Sequence, residues 1–166
     1  MSRKLVSALC LAGALVACRT GSAAYPSEPA AAAQPTAARA PSGLDLVPLE
    51  IHSSGRTHRF TVEVARTSEQ QARGLMFRNS LGADEGMIFP FSPARPASFW
   101  MHNTYIPLDM IFIREDGTIA RIAADTTPLS DEPVPSGEPV AAVLEIKGGR
   151  AAELGIREND HVAWPG

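Results

Sequence analysis

Residues 106–113 read Ile106-Pro107-Leu108-Asp109-Met110-Ile111-Phe112-Ile113. Ile106, Leu108, Met110 and Phe112 fall on one face of an extended chain, and Ile111 and Ile113 make the other face apolar as well. A strand apolar on both sides must be covered on both, so this segment predicts a central strand of a sheet. Pro107 lacks a ladder donor, which places it at a strand entrance, an edge or a bulge. Downstream, Glu115-Asp116-Gly117 is a hairpin signal, since Gly accepts positive φ, and it hands the chain to a strand over Ile119 to Ala123. Thr126 to Pro139 reads as a long loop rich in Pro, Ser, Asp and Glu, and Val140 to Ile146 as a returning strand. Gly148-Gly149 leads into a short helix over Arg150 to Leu154 that Gly155 ends, and His161 to Trp164 reads as a closing strand.

Upstream, Val47, Leu49 and Ile51 alternate with polar or proline positions, and after Ser53-Ser54-Gly55 the alternation resumes at Phe60, Val62 and Val64, which predicts a hairpin. Thr67-Ser68-Glu69-Gln70-Gln71 carries a capping-box pattern for a helix of at most two turns, with Gly74 placed to end it. Gly86 to Phe89 reads as a buried strand stopped by Pro90, and Ala97 to Met101 as another. Many short strands with two brief helices predict a mainly β domain, a compact β-sandwich or barrel-like fold, without an internal repeat.

The first residues are of a different kind. Arg3 and Lys4 precede an apolar run, Leu5 to Val16, that is shorter than the roughly 20 residues a membrane span needs, so residues 1–17 read as an export signal. Leu15-Val16-Ala17-Cys18 resembles a bacterial lipoprotein box, which would make Cys18 the lipidated first residue of the exported chain and the membrane its partner. The alternative is cleavage after Ser22-Ala23-Ala24, releasing a soluble periplasmic chain that begins at Tyr25. Residues 18–43, dominated by Ala, Pro, Ser, Thr and Gly, cannot bury enough apolar surface to offset their ordering entropy and read as a disordered tether. Residues 44–166 are the single domain. With Cys10 in the signal and Cys18 lipidated or removed, that domain has no disulfide, no thiol nucleophile and no thiolate metal site. It holds 17 acidic against 11 Lys and Arg residues, a net charge of −6, which argues against nucleic acid as a partner.

The residues with chemistry concentrate in Phe99-Trp100-Met101-His102-Asn103-Thr104-Tyr105-Ile106-Pro107-Leu108-Asp109. His102 with Asp109 reads as a general base with its orienting carboxylate and Asn103 as an oxyanion donor, if a turn brings them together. Otherwise Asn103 and Asp109 hydrogen-bond backbone. Trp100 is either a stacking platform or a core aromatic. Met76, Met87, Met101 and Met110 near His102 are ligand types that suit Cu(I), but methionine also fills cores. Arg73 and Arg78 flank Leu75-Met76 and suit an anionic ligand or a structural ion pair. The motifs of zinc proteases, phosphate loops and serine hydrolases are missing, and no cofactor and no metal site is expected.

Arg73-Gly74-Leu75-Met76, Gly86-Met87, Phe99-Trp100-Met101-His102-Asn103-Thr104 and Ile106-Pro107-Leu108-Asp109, with Asp116-Gly117, Glu145 and Gly149 after them, together resemble the family called domain of unknown function 192. The resemblance covers nearly all of residues 44–166. It implies a compact, mainly β, sandwich-like domain, often exported, with no established activity or cofactor. One departure is His102, where the family usually places Lys or Arg. A shorter likeness, of residues 149–162 to part of a PDZ domain, follows from a capped helix packed before a strand. The expected function is therefore a cell-envelope binding module, lipid-anchored through Cys18, that takes a small molecule, glycan or envelope protein at Arg73, Trp100, His102, Asn103, Thr104 and Asp109. A hydrolase using His102, Asn103 and Asp109 and a periplasmic Cu(I) protein using the methionines are the alternatives.

Overall fold

The computed structural model describes residues 39–165. The export signal, Cys18 and most of the tether lie outside the described residues. Arg39 to Gly43 pack on the domain: Arg39 bridges to Asp45, Ala40 is buried, and the Ser42 hydroxyl donates to Glu63 at 2.5 Å.

Seven strands form one mixed sheet. They are β1 (Leu46–Ser53), β2 (Arg56–Val64), β3 (Glu85–Phe99), β4 (Leu108–Ile113), β5 (Ile119–Thr126), β6 (Val134–Lys147) and β7 (His161–Ala163), in the spatial order β5-β4-β6-β3-β2-β1-β7. Only β2 and β3 run parallel. The two edges approach each other: Thr118 bridges to His161, and the Val162 amide donates to the Gly117 carbonyl at 2.8 Å. The sheet is thus curled toward closure, the barrel-like form of the expected β architecture.

Both faces are covered. Ile88, Ile111, Ile113, Leu144 and Ile146 point into one core with residues of β1, β2 and β7 and with Ala151 of helix α2 (Arg150–Leu154). Met87, Phe89, Met110, Phe112 and Val143 point into a second core, closed by Leu75, Leu81, Ala97, Met101 and Leu108. The alternation read from residues 106–113 survives intact, with every residue of β4 buried and Pro107 just before its entrance.

Helix α1 (Ser68–Arg73) has the predicted capping box: the Gln70 amide donates to Thr67 Oγ1 at 3.2 Å and the Thr67 amide to Gln70 Oε1 at 3.0 Å. Gly74, at φ 48°, ends it. Two segments differ from expectation. Pro90 does not stop a strand, because register shifts between Pro90 and Arg95 and between Pro96 and Ser98 absorb the prolines, so the two strands expected at Gly86–Phe89 and Ala97–Met101 are one bent β3. The loop expected over Thr126 to Pro139 is shorter, because β6 begins at Val134 and pairs Val134 with Phe99.

Candidate functional site

The end of β3 and the turn after it carry most of the candidate residues. The Thr104 amide donates to the Met101 carbonyl at 3.0 Å, and Asn103 sits in this turn at φ 52°, a left-handed conformation that Asn tolerates better than most residues. The turn is pinned by neighbours: the Phe77 amide donates to the Asn103 carbonyl, the Leu129 amide to the Thr104 carbonyl and the Met101 amide to the Ser130 carbonyl. Trp100 is 51% exposed, so its core reading is corrected. β3 ends at Phe99, and Phe99 instead meets Phe89 edge-on with centroids 5.0 Å apart.

The pairing of His102 with Asp109 is not formed. His102 Nδ1 lies 2.6 Å from Asp131 Oδ1, and its ring stacks on Trp100 with centroids 4.9 Å apart. Asp109 is fully buried and points elsewhere: Oδ1 accepts from the Asp125 and Gly149 amides at 2.8 and 2.9 Å, and Oδ2 from the Ala151 amide at 2.7 Å. Its carboxylate fastens β5 and the start of α2 to β4. Met87, Met101 and Met110 are buried in the second core, Met76 is half-buried, and Met101 Sδ accepts from the Thr126 hydroxyl at 3.1 Å.

Beneath Trp100 lies a cleft of about 240 Å³, lined by Arg73, Arg95, Phe89, Phe91, Phe99, Thr104 and, at its floor, Glu145. Of the residues expected at a site, Arg73, Trp100 and Thr104 line it, whereas His102 and Asn103 form the neighbouring turn and Asp109 is a buried brace. Ala97, Leu75 and the backbone at Gly74 complete its wall. A Cβ at Gly74 would touch the Phe89 ring at 3.4 Å. A Cβ at Gly86 would lie 2.5 Å from the Glu145 carbonyl oxygen, so a glycine there lets β3 close on β6 beside the floor.

Glu145 is the residue that reading for catalytic motifs passed over. It stands on β6 between Met87 of β3 and Met110 of β4, its cross-strand neighbours, and is 5% exposed. Among the described residues its carboxyl makes no hydrogen bond and no ion pair. Burial without compensation pushes its pKa up to about 8, so the acid is mostly protonated at neutral pH. The available signal was a lone charged residue inside Val140-Ala141-Ala142-Val143-Leu144-Glu145-Ile146, a strand apolar on both faces.

Two other polar side chains at the cleft are committed. The Gln71 side-chain amide donates to the Ala65 and Pro90 carbonyls, and the Thr104 hydroxyl to the His102 carbonyl. A second hollow, about 560 Å³, shares Arg73, Gly74 and Met76 with the first. It is larger, but its Arg78 is bound to Glu63 through both guanidinium nitrogens at 2.6 and 2.8 Å, which leaves it without an unpartnered buried group. The smaller cleft is the better site on chemistry. Among the described residues, no three His, Cys, Asp or Glu side chains gather as a metal site would require.

No curated protein matches the chain. Solved structures similar to it include the following two. One is a protein of unknown function from Novosphingobium aromaticivorans DSM 12444, 49% identical, with a TM-score of 0.76 over 78% of this chain and 93% of that one. The other is a putative transcription regulator from Sinorhizobium meliloti 1021, 41% identical, with a TM-score of 0.71 over 73% of this chain and 95% of that one. A family model described as DUF192, "Uncharacterized ACR", matches residues 49–164, and with that extent of match the chain belongs to the DUF192 family.

Proposed function

We propose that this chain is an exported binding module of the cell envelope, anchored through a lipidated Cys18, and that the cleft beneath Trp100 holds a small ligand. The observation that carries the ligand site is Glu145: its carboxyl, 5% exposed, takes no hydrogen bond from the described residues and lines an aromatic-walled cleft where a ligand would meet it. The exposed Trp100 face at the rim suits the apolar body of such a ligand. A hydrolase built on His102, Asn103 and Asp109 lacks support, because the three amides on Asp109 occupy the carboxylate meant to orient His102. The regulatory description of the S. meliloti protein is not carried over, given this domain's excess of acidic residues.

The ligand site is tested by a thermal-shift panel of sugars, cell-wall fragments, peptides, amines and carboxylates on the purified chain, since ligands selective for the native state raise its apparent stability. A compound that raises Tm in the unaltered protein and not in Trp100→Ala supports the cleft; a panel without any such compound overturns it. The anchor is tested by metabolic labelling with an alkyne fatty acid, where label lost in Cys18→Ser is expected. An unlabelled chain beginning at Tyr25 would establish the soluble form instead.

A further inference from the structure

We infer that the cleft is built for a small ω-amino carboxylate, with its ammonium on Glu145 at the floor and its carboxylate on Arg73 and Arg95 at the mouth. This rests on the cleft being a ligand site. The charged side chains that line it are these three and no others, and none of them has an ion-pair partner among the described residues. Arg95 Cζ lies over the Phe91 ring, 4.1 Å from its centroid, and Arg73 Cζ lies 5.9 Å from the centroid of the Phe77 ring. Stacking uses the face of a guanidinium and leaves its N–H edge free for a carboxylate.

Depth separates the two signs of charge. Glu145 is buried, and both arginines are exposed, so the ligand's charges belong at opposite ends with an apolar chain along Phe89, Phe99 and Leu75 between them. A simple amine would satisfy the floor but meet two cations at the mouth. A simple carboxylate would satisfy the mouth and leave the floor bare. At about 240 Å³ the space is below the roughly 300 to 1,000 Å³ of sites for drug-sized molecules, which fixes the ligand as small.

Binding moves a proton. In the empty cleft the acid is held mostly protonated by burial; when an ammonium docks, Glu145 gives its proton to solvent and pairs as a carboxylate. The flanking strands present Met87 and Met110 to Glu145, and the charged lining groups are Arg73 of α1 and Arg95 of β3. Affinity for the amino compound therefore rises from pH 6 to pH 9.

The test is calorimetric titration of the purified chain with ω-amino acids of four to eight carbons, and with the matching amines, carboxylates and alcohols. One ω-amino acid is expected to bind at least tenfold tighter than both singly charged analogues of its length. Glu145→Gln, close in shape, should remove its advantage over the carboxylate, and Arg73→Ala with Arg95→Ala its advantage over the amine, each with an unchanged circular dichroism spectrum. If the alcohols bind as tightly as the ω-amino acids, or the carboxylates bind tightest and ignore Glu145→Gln, this inference falls and the cleft reading stands. If no member of any series binds, this inference falls, and the thermal-shift panel of sugars, cell-wall fragments and peptides decides the cleft reading.

Discussion

Glu63 and Glu145 stand in the same row across the sheet, where the register runs Glu63 on β2, Met87 on β3, Glu145 on β6 and Met110 on β4. Both are buried, and they differ in what comes to meet them. Burial raises the pKa of Glu63 too, but the bonds from Arg78 and Ser42 and the Arg78 charge outweigh it, and the net shift is downward. Nothing in the described chain meets Glu145, and its pKa goes up. The same residue type, carried in one row two strands apart, thus yields a structural ion pair at one end of the row and a candidate binding group in the middle. The difference teaches that function is to be sought at the carboxylate the fold leaves unsatisfied.

Asp109 sets the upper limit of that comparison, as a buried carboxylate whose two oxygens take three backbone amides. Asp109→Ala would strand three donors at about 1 to 3 kcal/mol each, a loss of roughly 5 kcal/mol or more in denaturant unfolding. A loss under about 1 kcal/mol would show that the brace between β4 and α2 is dispensable.

For Glu145 the folded pKa lies above the unfolded one, so the native state binds the extra proton. Stability is unaffected below about pH 4.5, falls as pH rises, and has lost on the order of 5 kcal/mol once pH passes about 8. Glu145→Gln should flatten this decline and be more stable than the parent at pH 8, measured by urea unfolding across pH. Equal slopes in both proteins would mean that an unseen partner already satisfies the acid.

The paired glutamate should behave in the opposite way. Arg78→Ala leaves Glu63 buried and uncompensated, and with Arg78 itself part-exposed a loss of about 2 to 4 kcal/mol is expected. Its folded pKa is depressed, so the contribution is present above about pH 4.5 and lost as pH falls through the folded value. Restoring stability with Glu63→Gln in the Arg78→Ala background would sharpen the contrast between the two ends of the row. The smallest effect belongs to the rim: Trp100→Ala, on a half-exposed side chain, should change stability by no more than about 0.5 kcal/mol while removing ligand-induced shifts. A large loss of stability there would return Trp100 to a structural role.

Much of the fold was legible in local pattern. The alternation in residues 106–113, the capping box at Thr67 and Gln70, and the turn at Asp116-Gly117 each appear where periodicity and backbone preference put them, because those signals act within a few residues. The failures are long-range. Pro90 reads as a terminator until β6 pairs around it with shifted register, and Val134 reads as loop until Phe99 lies opposite. The candidate site was legible as a region and not as a constellation. Trp100, Thr104 and Arg73 do line one cleft, but the partner of His102 is Asp131, 29 residues away, and Asp109 is claimed by amides 16, 40 and 42 residues on.

By itself the sequence determined a β-rich domain with a sheet apolar on both faces, since alternation and turn chemistry are properties of neighbouring residues. Only the tertiary structure decided which buried carboxylates were satisfied. Arg78 reaches Glu63 and the α2 amides reach Asp109 through contacts between distant segments, and the same folding brings Phe89, Phe99 and Met110 around Glu145 and no partner for it.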